Sequence, residues 1–192
     1  MNPLCNVIPF GFDRIWNYGC WCNFGEDLLD GRHQPVNIFD SICKDFQLCL
    51  RCAKLDDDSC DPANQTYQTG GITNNHVSQC QVQNSGNECA TNVCICEQTI
   101  IVEIMDLAFL PFDPVNEYSD EFLHSNGWSF EDNCPRILNA EYSGKNCCGN
   151  FPKRFPYSVG NSKKECCRDL NLYNPAMQDC CLDGSVGDIG SC

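Results

Sequence analysis

Apolar residues recur at three- and four-residue steps in two segments of this chain. In the segment from Pro35 to Leu55 the recurring residues are Ile38, Ile42, Cys43, Phe46, Cys49, Leu50 and Ala53. In the segment from Glu88 to Leu107 they are Cys89, Val93, Cys96, Ile100 and Ile104. Such steps place the residues of each segment on one face of an α-helix, and Pro35 suits a first helical turn. The pattern predicts two helices whose cysteine-bearing faces are joined by disulfides.

The segments outside these two helices are polar. Residues 56–83 are rich in Asn, Gln, Thr and Gly, which predicts a loop or a short hairpin. Residues 112–132 contain no cysteine and several carboxylates, and this composition predicts a linker. The chain is therefore divided into a helical domain over residues 1–110, an acidic linker over residues 111–133 and a cysteine-pair module over residues 134–192.

Most cysteines of the cysteine-pair module are adjacent in the sequence. The pairs are Cys147-Cys148, Cys166-Cys167 and Cys180-Cys181, and a terminal Cys192 follows them. Adjacent cysteines do not readily bond each other, so each pair is expected to send two bridges in different directions. The module has no periodic apolar run, so its stability is expected to come from bridges that contribute roughly 2 to 4 kcal/mol each. This composition predicts a small irregular or β module stapled by disulfides.

Cysteine content and charge limit the compartment and the partners. The 19 cysteines are kept oxidised only outside the reducing cytosol, which predicts a secreted, extracellular protein and argues against zinc sites. A formal net charge of −14 does not suit nucleic acid or an anionic membrane surface. The longest apolar segment, Ile100 to Pro111, is too short for a transmembrane helix and carries Glu103 and Asp106. Calcium, mineral surfaces and basic proteins are the partners that fit this charge.

Three segments of the first part resemble the secreted phospholipase A2 family and occur in that family's order. Tyr18-Gly19-Cys20-Trp21-Cys22 is similar to the calcium loop of the family. Residues 40–50 are similar to its active-site helix, and residues 89–97 are similar to the partner helix. The resemblance covers about residues 5–108. It implies a mainly α, disulfide-rich fold, with a phospholipase A2-like helical domain ahead of the small C-terminal module.

The resemblance also implies four disulfides in the helical domain. They join Cys22 to Cys43, Cys49 to Cys96, Cys60 to Cys89, and Cys80 to Cys94. One further bridge of the family is absent at both ends, because Ile42 and Glu103 stand at its two positions. The loss of both partners together supports the alignment, since a wrong alignment usually leaves one orphan cysteine.

The residues that carry catalysis in the family are replaced in this chain. The family uses a histidine as general base, the adjacent aspartate as calcium ligand, and a second aspartate that orients the histidine. The corresponding residues are Phe46, Gln47 and Glu97. Phe cannot accept a proton, and neutral Gln lacks the charge that calcium prefers in a ligand. The resemblance therefore implies a catalytically inactive scaffold without metal or cofactor, in which Glu97 forms a buried or half-buried hydrogen bond.

The remaining cysteines leave several pairings open. In the family a cysteine at the position of Cys20 bonds a C-terminal extension, so the resemblance makes Cys134 its expected partner, although a tail cysteine also fits. Cys52 is expected to reach Cys5. Because 19 is odd, at least one cysteine is a free thiol or a link to another chain. Terminal Cys192 is the candidate for an intermolecular disulfide, because chain ends are usually exposed.

These observations predict a non-catalytic secreted structural or extracellular matrix protein. The tail resembles the di-cysteine repeats of galaxin-like matrix proteins, and inactive phospholipase-like domains form the main organic component of inner-ear otoconia. The protein is expected to associate with itself or with other matrix proteins. It is also expected to contact calcium or a mineral surface through weak acidic patches. The alternative is a secreted ligand- or receptor-binding homologue, toxin-like or lipid-carrying. Asn64-Gln65-Thr66 predicts glycosylation at Asn64, and His33, His76 and His124 are expected to be solvated loop residues.

Overall fold

The structure is a computed structural model that describes residues 17–24, 29–71, 75–109, 119–136, 144–159 and 163–192. Its helices are α1 (Ile38–Asp56), α2 (His76–Gln83), α3 (Glu88–Phe109) and α4 (Phe130–Asn133), with 3₁₀ turns at Asp120–Phe122 and His124–Asn126. Its strands are β1 (Asn146–Cys148), β2 (Phe155–Tyr157), β3 (Glu165–Cys167), β4 (Asn171–Tyr173), β5 (Gln178–Cys180) and β6 (Val186–Asp188). Helices account for 39% and strands for 14% of the structure, so the prediction of a mainly α chain is only partly confirmed. The fold is disulfide-rich throughout the described ranges.

Helix α1 begins at Ile38 because Asn37 caps it. The side chain of Asn37 accepts a hydrogen bond from the backbone N–H of Asp40 at 3.0 Å. An N-terminal cap of this kind satisfies a donor that the first helical turn leaves unpaired. The apolar pattern starts at Pro35, but the helix starts only after the cap.

Helices α1 and α3 pack against each other, as the apolar pattern predicts. The bridge between Cys49 and Cys96 joins them. Leu50 of α1 and Val93 of α3 are fully buried in the core, so their side chains are removed from water. The loop that precedes α1 also packs on the core, since the ring centroids of Tyr18 and Phe39 lie 5.3 Å apart. No helix in the described part of the chain is long and apolar enough to cross a membrane.

Helix α2 lies inside the segment that the sequence predicts to be a loop or a hairpin, and that prediction is wrong for residues 76–83. Cys80 is the one buried side chain of this helix, so there is no apolar stripe that a pattern reveals. The helix is held instead by the bridge from Cys80 to Cys94 of α3. A hydrogen bond between His76 Nε2 and Thr99 Oγ1 at 2.8 Å adds a second contact.

Residues 119–134 pack against the helical part, although their composition predicts a linker. The backbone N–H of Gly19 donates to the carbonyl of Phe122 at 3.0 Å, and Ser119 N–H donates to the Tyr18 hydroxyl at 3.1 Å. A disulfide joins Cys20 to Cys134, the partner that the resemblance implies. The carboxylates of this segment suggest that it is exposed to solvent. Its aromatic side chains nevertheless pack on the core; they are Phe122, Trp128 and Phe130.

The C-terminal part is a series of three two-stranded antiparallel hairpins. Strand β1 pairs with β2, β3 with β4, and β5 with β6. Each adjacent cysteine pair sends its two bridges in different directions, as predicted. The bridges are Cys52–Cys147, Cys148–Cys166, Cys167–Cys180 and Cys181–Cys192. The hairpins therefore form a ladder in which each is tied to the next, and the first is tied to α1.

Two disulfide predictions are wrong. Cys192 bonds Cys181 and is not available for another chain, because the last hairpin folds the chain end back on itself. The backbone N–H of Gly190 donates to Asp179 Oδ2 at 2.6 Å in that turn. Cys52 bonds Cys147 of the first hairpin instead of Cys5. All 18 cysteines in the described ranges are paired, and Cys5 lies outside them.

Candidate functional site

The loop at residues 17–24 is anchored by one buried carboxylate, Asp40. Its Oδ1 accepts hydrogen bonds from the backbone N–H groups of Trp21 at 2.8 Å and Cys22 at 3.1 Å. Its Oδ2 accepts from Cys20 and Val36, each at 3.0 Å. Burial raises the pKa of the Asp40 carboxyl, and the four N–H donors act in the opposite direction. Asp40 thereby fixes the path of the loop relative to α1.

Gly19 is required by this arrangement. Its backbone has a φ of +53°, and a Cβ atom at this residue would lie 2.6 Å from Cγ of Asp40. A side chain there would push the carboxylate away from its backbone donors.

Gln47 is fully buried and joins two segments of the loop region. Its Oε1 accepts a hydrogen bond from the backbone N–H of Gly31 at 2.8 Å. Its Nε2 donates to the carbonyl oxygen of Trp21. A Cβ atom on Gly31 would lie 2.6 Å from Gln47 Oε1, so the amide fills the space between the two segments.

Arg51 binds further carbonyls of the same loop region. One terminal nitrogen of its guanidinium donates to the carbonyl oxygens of both Leu29 and Gly31. The Arg51 guanidinium also lies 5.3 Å from the centre of the Trp21 ring, and the Lys44 ammonium lies 5.7 Å from it. The carbonyls of Trp21, Leu29 and Gly31 are thus bound by N–H donors of α1.

These residues do not fit the calcium ion that the resembling family binds. Calcium needs oxygen ligands, and several of them carry charge in a typical site. Gln47 stands at the ligand position that the resemblance implies, and it presents an N–H group to the carbonyl of Trp21. A cation there would lose this oxygen to the amide. Among the described residues no three His, Cys, Asp or Glu side chains come together as a metal-binding group.

Phe46 packs as a core residue. It is 9% exposed, and its ring centroid lies 5.7 Å from that of Phe24 in an edge-to-face contact. The cavity beside it has a volume of about 10 Å³ and is lined in part by Ile42, Ile100 and Pro152. That volume holds about one water molecule, and Phe46 offers it no proton acceptor.

Glu97 has the half-buried hydrogen bond that is expected of it. The hydroxyl of Tyr67 donates to Glu97 Oε2 at 2.5 Å. This bond ties the loop after α1 to helix α3. Phe46, Gln47 and Glu97 therefore serve three structural contacts, respectively with Phe24, with the loop and with Tyr67.

The three histidines are half-buried and not solvated as the sequence suggests, although His33 does lie in a loop. His76 is the first residue of α2 and is half-buried. His124 Nε2 lies 3.0 Å from the carbonyl oxygen of Gly19, and the His124 ring stacks on Trp128 with centroids 5.4 Å apart. His33 has a φ of +70°, and its carbonyl accepts a hydrogen bond from Trp21 Nε1 at 3.0 Å.

The acidic residues in the turns after α1 accept hydrogen bonds from neighbouring residues of the same turns. Asp57 Oδ1 accepts from the N–H and the hydroxyl of Ser59, at 2.9 and 2.6 Å, and these bonds lower the pKa of Asp57. Asn64, in the predicted glycosylation sequence, is exposed, and its Nδ2 donates to Asp61 Oδ2 at 2.8 Å. That bond is the main cause of the lowered pKa of Asp61. Both carboxylates thus serve as turn caps.

Sequence reasoning missed the ion pairs that bind the first hairpin to the helices. Lys153 Nζ lies 2.9 Å from Asp45 Oδ2 and 2.6 Å from Glu103 Oε1. Arg154 binds both carboxylate oxygens of Asp56, at 2.8 and 3.2 Å. Burial opposes the charge of Lys153, but the bonds from its two carboxylates outweigh this and raise the pKa of Lys153.

A sequence signal for these contacts exists on α1. Asp45, Cys52 and Asp56 are spaced by seven and four residues, which places them on one face of the helix. Each of them contacts the first hairpin. The spacing alone does not name the partners, because they lie about a hundred residues further along the chain.

No protein-family model matches the chain, and no curated protein matches it. The function is therefore inferred from the residues of the site and from their geometry.

Proposed function

We propose that this chain is a non-catalytic, secreted structural protein on an inactive phospholipase A2-like scaffold, and that it assembles with other extracellular matrix proteins. The observation that carries the proposal is the hydrogen bond from Gln47 Nε2 to the carbonyl of Trp21. At that place the resembling enzymes need a cation between a carboxylate and loop carbonyls. In this chain the side-chain amide takes the position of the cation.

Loss of the base supports the same conclusion. General base catalysis contributes roughly 100- to 10,000-fold to the rate of such reactions and needs a proton acceptor within hydrogen-bond reach of water. Phe46 has no such atom and packs on Phe24. His33, the histidine nearest to the loop in sequence, contacts it through its backbone carbonyl.

Secretion and a structural role are supported by the bridges. The nine disulfides of the described ranges persist only in an oxidising compartment and hold even the small hairpins rigid without an apolar core. The described part also displays exposed carboxylates on several elements, and these suit polyvalent cations or a mineral surface. They include Asp58, Asp106, Asp120 and Asp132.

Contacts with other proteins are supported by aliphatic side chains on the hairpins. Five of the seven large apolar side chains that are exposed in the described ranges lie between residues 159 and 189. They are Val159, Leu170, Met177, Leu182 and Ile189. The bridges stabilise the hairpins without these side chains, which are therefore open to contact with another protein. The cavity beside Phe46, at about 10 Å³, is too small for a lipid chain.

The proposal predicts that the protein does not hydrolyse phospholipid vesicles above the buffer rate, with or without calcium. Fatty-acid release is the measurement, and a Phe46→His/Gln47→Asp variant is the matched comparison. In parallel, the native material is extracted with a reductant or a calcium chelator and examined for bound lipid by mass spectrometry. A matrix role predicts release of protein only after one of these treatments. Calcium-dependent hydrolysis, or a stoichiometric lipid in freely soluble protein, would contradict it.

A further inference from the structure

The first hairpin lies across two helices of the core. We call residues 146–157, which contain β1 and β2, the strap. It is bonded to α1 by Cys52–Cys147, and its Lys153 binds carboxylates of both α1 and α3. Pro152 and Lys153 line the cavity beside Phe46 and Ile100, so the strap covers this part of the groove.

The ionic anchors of the strap are open to screening by salt. Side-chain exposure is 55% for Lys153, 47% for Asp45 and 28% for Glu103. The pair of Arg154 and Asp56 is more buried, at 19% and 27%. The exposed pairs of Lys153 weaken as ionic strength rises, and the more buried pair of Arg154 weakens less.

The covalent anchor of the strap is more accessible than the other bridges of the helical part. Five bridges there have both cysteines buried, with at most 5% of either residue exposed. They are Cys20–Cys134, Cys22–Cys43, Cys49–Cys96, Cys60–Cys89 and Cys80–Cys94. In the sixth, Cys52 is buried but Cys147 is half-buried. An attacking thiolate needs access to a sulfur atom. Among the six bridges of the helical part, thiol–disulfide exchange is therefore expected first at Cys147.

We propose that the strap is a redox-sensitive latch that opens when a dithiol reduces Cys52–Cys147 and salt screens Lys153 and Arg154. A thiolate of the dithiol attacks Sγ of Cys147, the bond to Cys52 breaks, and Cys52 leaves as a thiolate that takes up a proton. The second thiol of the dithiol then attacks the mixed disulfide as its thiolate. Cys147 leaves as a thiolate and is protonated, and the dithiol is oxidised to its own disulfide.

Opening of the latch exposes an apolar surface while the helical core stays bridged. Ile42, Phe46 and Ile100 line the covered groove on the helix side. Phe151 and Phe155 of the strap pack against the same core. This inference does not depend on the proposed function, because it concerns the closed and open states of the strap alone.

The first test uses the wild-type protein. Graded dithiothreitol is added in about 1 M sodium chloride, free thiols are alkylated, and the labelled cysteines are identified by mass spectrometry. Cys52 and Cys147 should be labelled at dithiol concentrations about tenfold below those that label Cys22 and Cys43. Labelling of all four cysteines over the same concentration range would overturn the proposal.

The second test separates the strap from the rest of the tail. A Cys52→Ser/Cys147→Ser variant is compared with a Cys181→Ser/Cys192→Ser variant, which loses a bridge that does not touch the helices. In about 1 M sodium chloride the first variant should bind anilinonaphthalene sulfonate with a several-fold rise in fluorescence. Its peptides over residues 42–49 should also exchange amide hydrogen faster, and the control variant should resemble the wild type. Equal dye binding and exchange in the two variants would overturn the latch.

Discussion

Replacement of Asp40 by Asn is expected to lower the free energy of unfolding by about 4 kcal/mol. The buried carboxylate accepts four backbone hydrogen bonds, from Cys20, Trp21, Cys22 and Val36. Asparagine keeps one acceptor oxygen and places an NH₂ group against two N–H donors. Those two donors are left buried without a partner, and each costs about 1 to 3 kcal/mol.

Denaturant unfolding of the oxidised protein measures this effect. Asp106→Asn is the matched control, because Asp106 is exposed on α3. The control should change stability by less than about 0.5 kcal/mol. A loss below about 1 kcal/mol for Asp40→Asn would show that other contacts hold the loop.

Replacement of Gln47 by Glu is expected to cost about 3 kcal/mol at neutral pH, although the two side chains have nearly the same shape. The introduced carboxylate can still accept from Gly31, but it has no N–H to donate to the carbonyl of Trp21, and two oxygens then face each other. Protonation of this carboxyl group restores a donor. Burial holds the pKa of the introduced group above that of the unfolded chain, so the loss of stability is full above the folded pKa and shrinks as pH falls below it.

Thermal unfolding of Gln47→Glu across a pH series tests this linkage, with Gln47→Met as the comparison. The Met variant loses both hydrogen bonds and should show no such recovery at low pH. A Gln47→Glu variant whose stability follows that of the wild type at every pH would show that the hydrogen bond to Trp21 does not hold the loop.

The sequence predicts the helix pair because its signal is local. Three- and four-residue steps place Val93, Ile100 and Leu50 in the core, and the structure buries all three. Helix α2 has no such stripe, and its position depends on the bridge from Cys80 to Cys94. Residues 119–134 contain several carboxylates, but their aromatic side chains pack against the core. Composition does not reveal contacts of this kind, because they depend on the path of the chain.

The site is predicted to a similar extent. The resemblance to phospholipase A2 implies the loss of a base at Phe46 and of a metal ligand at Gln47, without any geometry. The binding of loop carbonyls by donors of α1 is not predictable from residue types, since Arg51 reaches the carbonyls of Leu29 and Gly31 only after the loop folds back over α1. The bond between Cys181 and Cys192 is likewise not predictable from the sequence, because it depends on the turn of the last hairpin.

Calorimetric titration with calcium decides whether Gln47 and Arg51 hold the loop where the resembling enzymes place a cation. We expect no saturable heat beyond that of magnesium, which controls for weak binding to exposed carboxylates. Calcium should likewise leave the unfolding temperature where magnesium leaves it. Tight binding of one calcium ion per chain, lost in Gln47→Met, would contradict this role of Gln47 and Arg51.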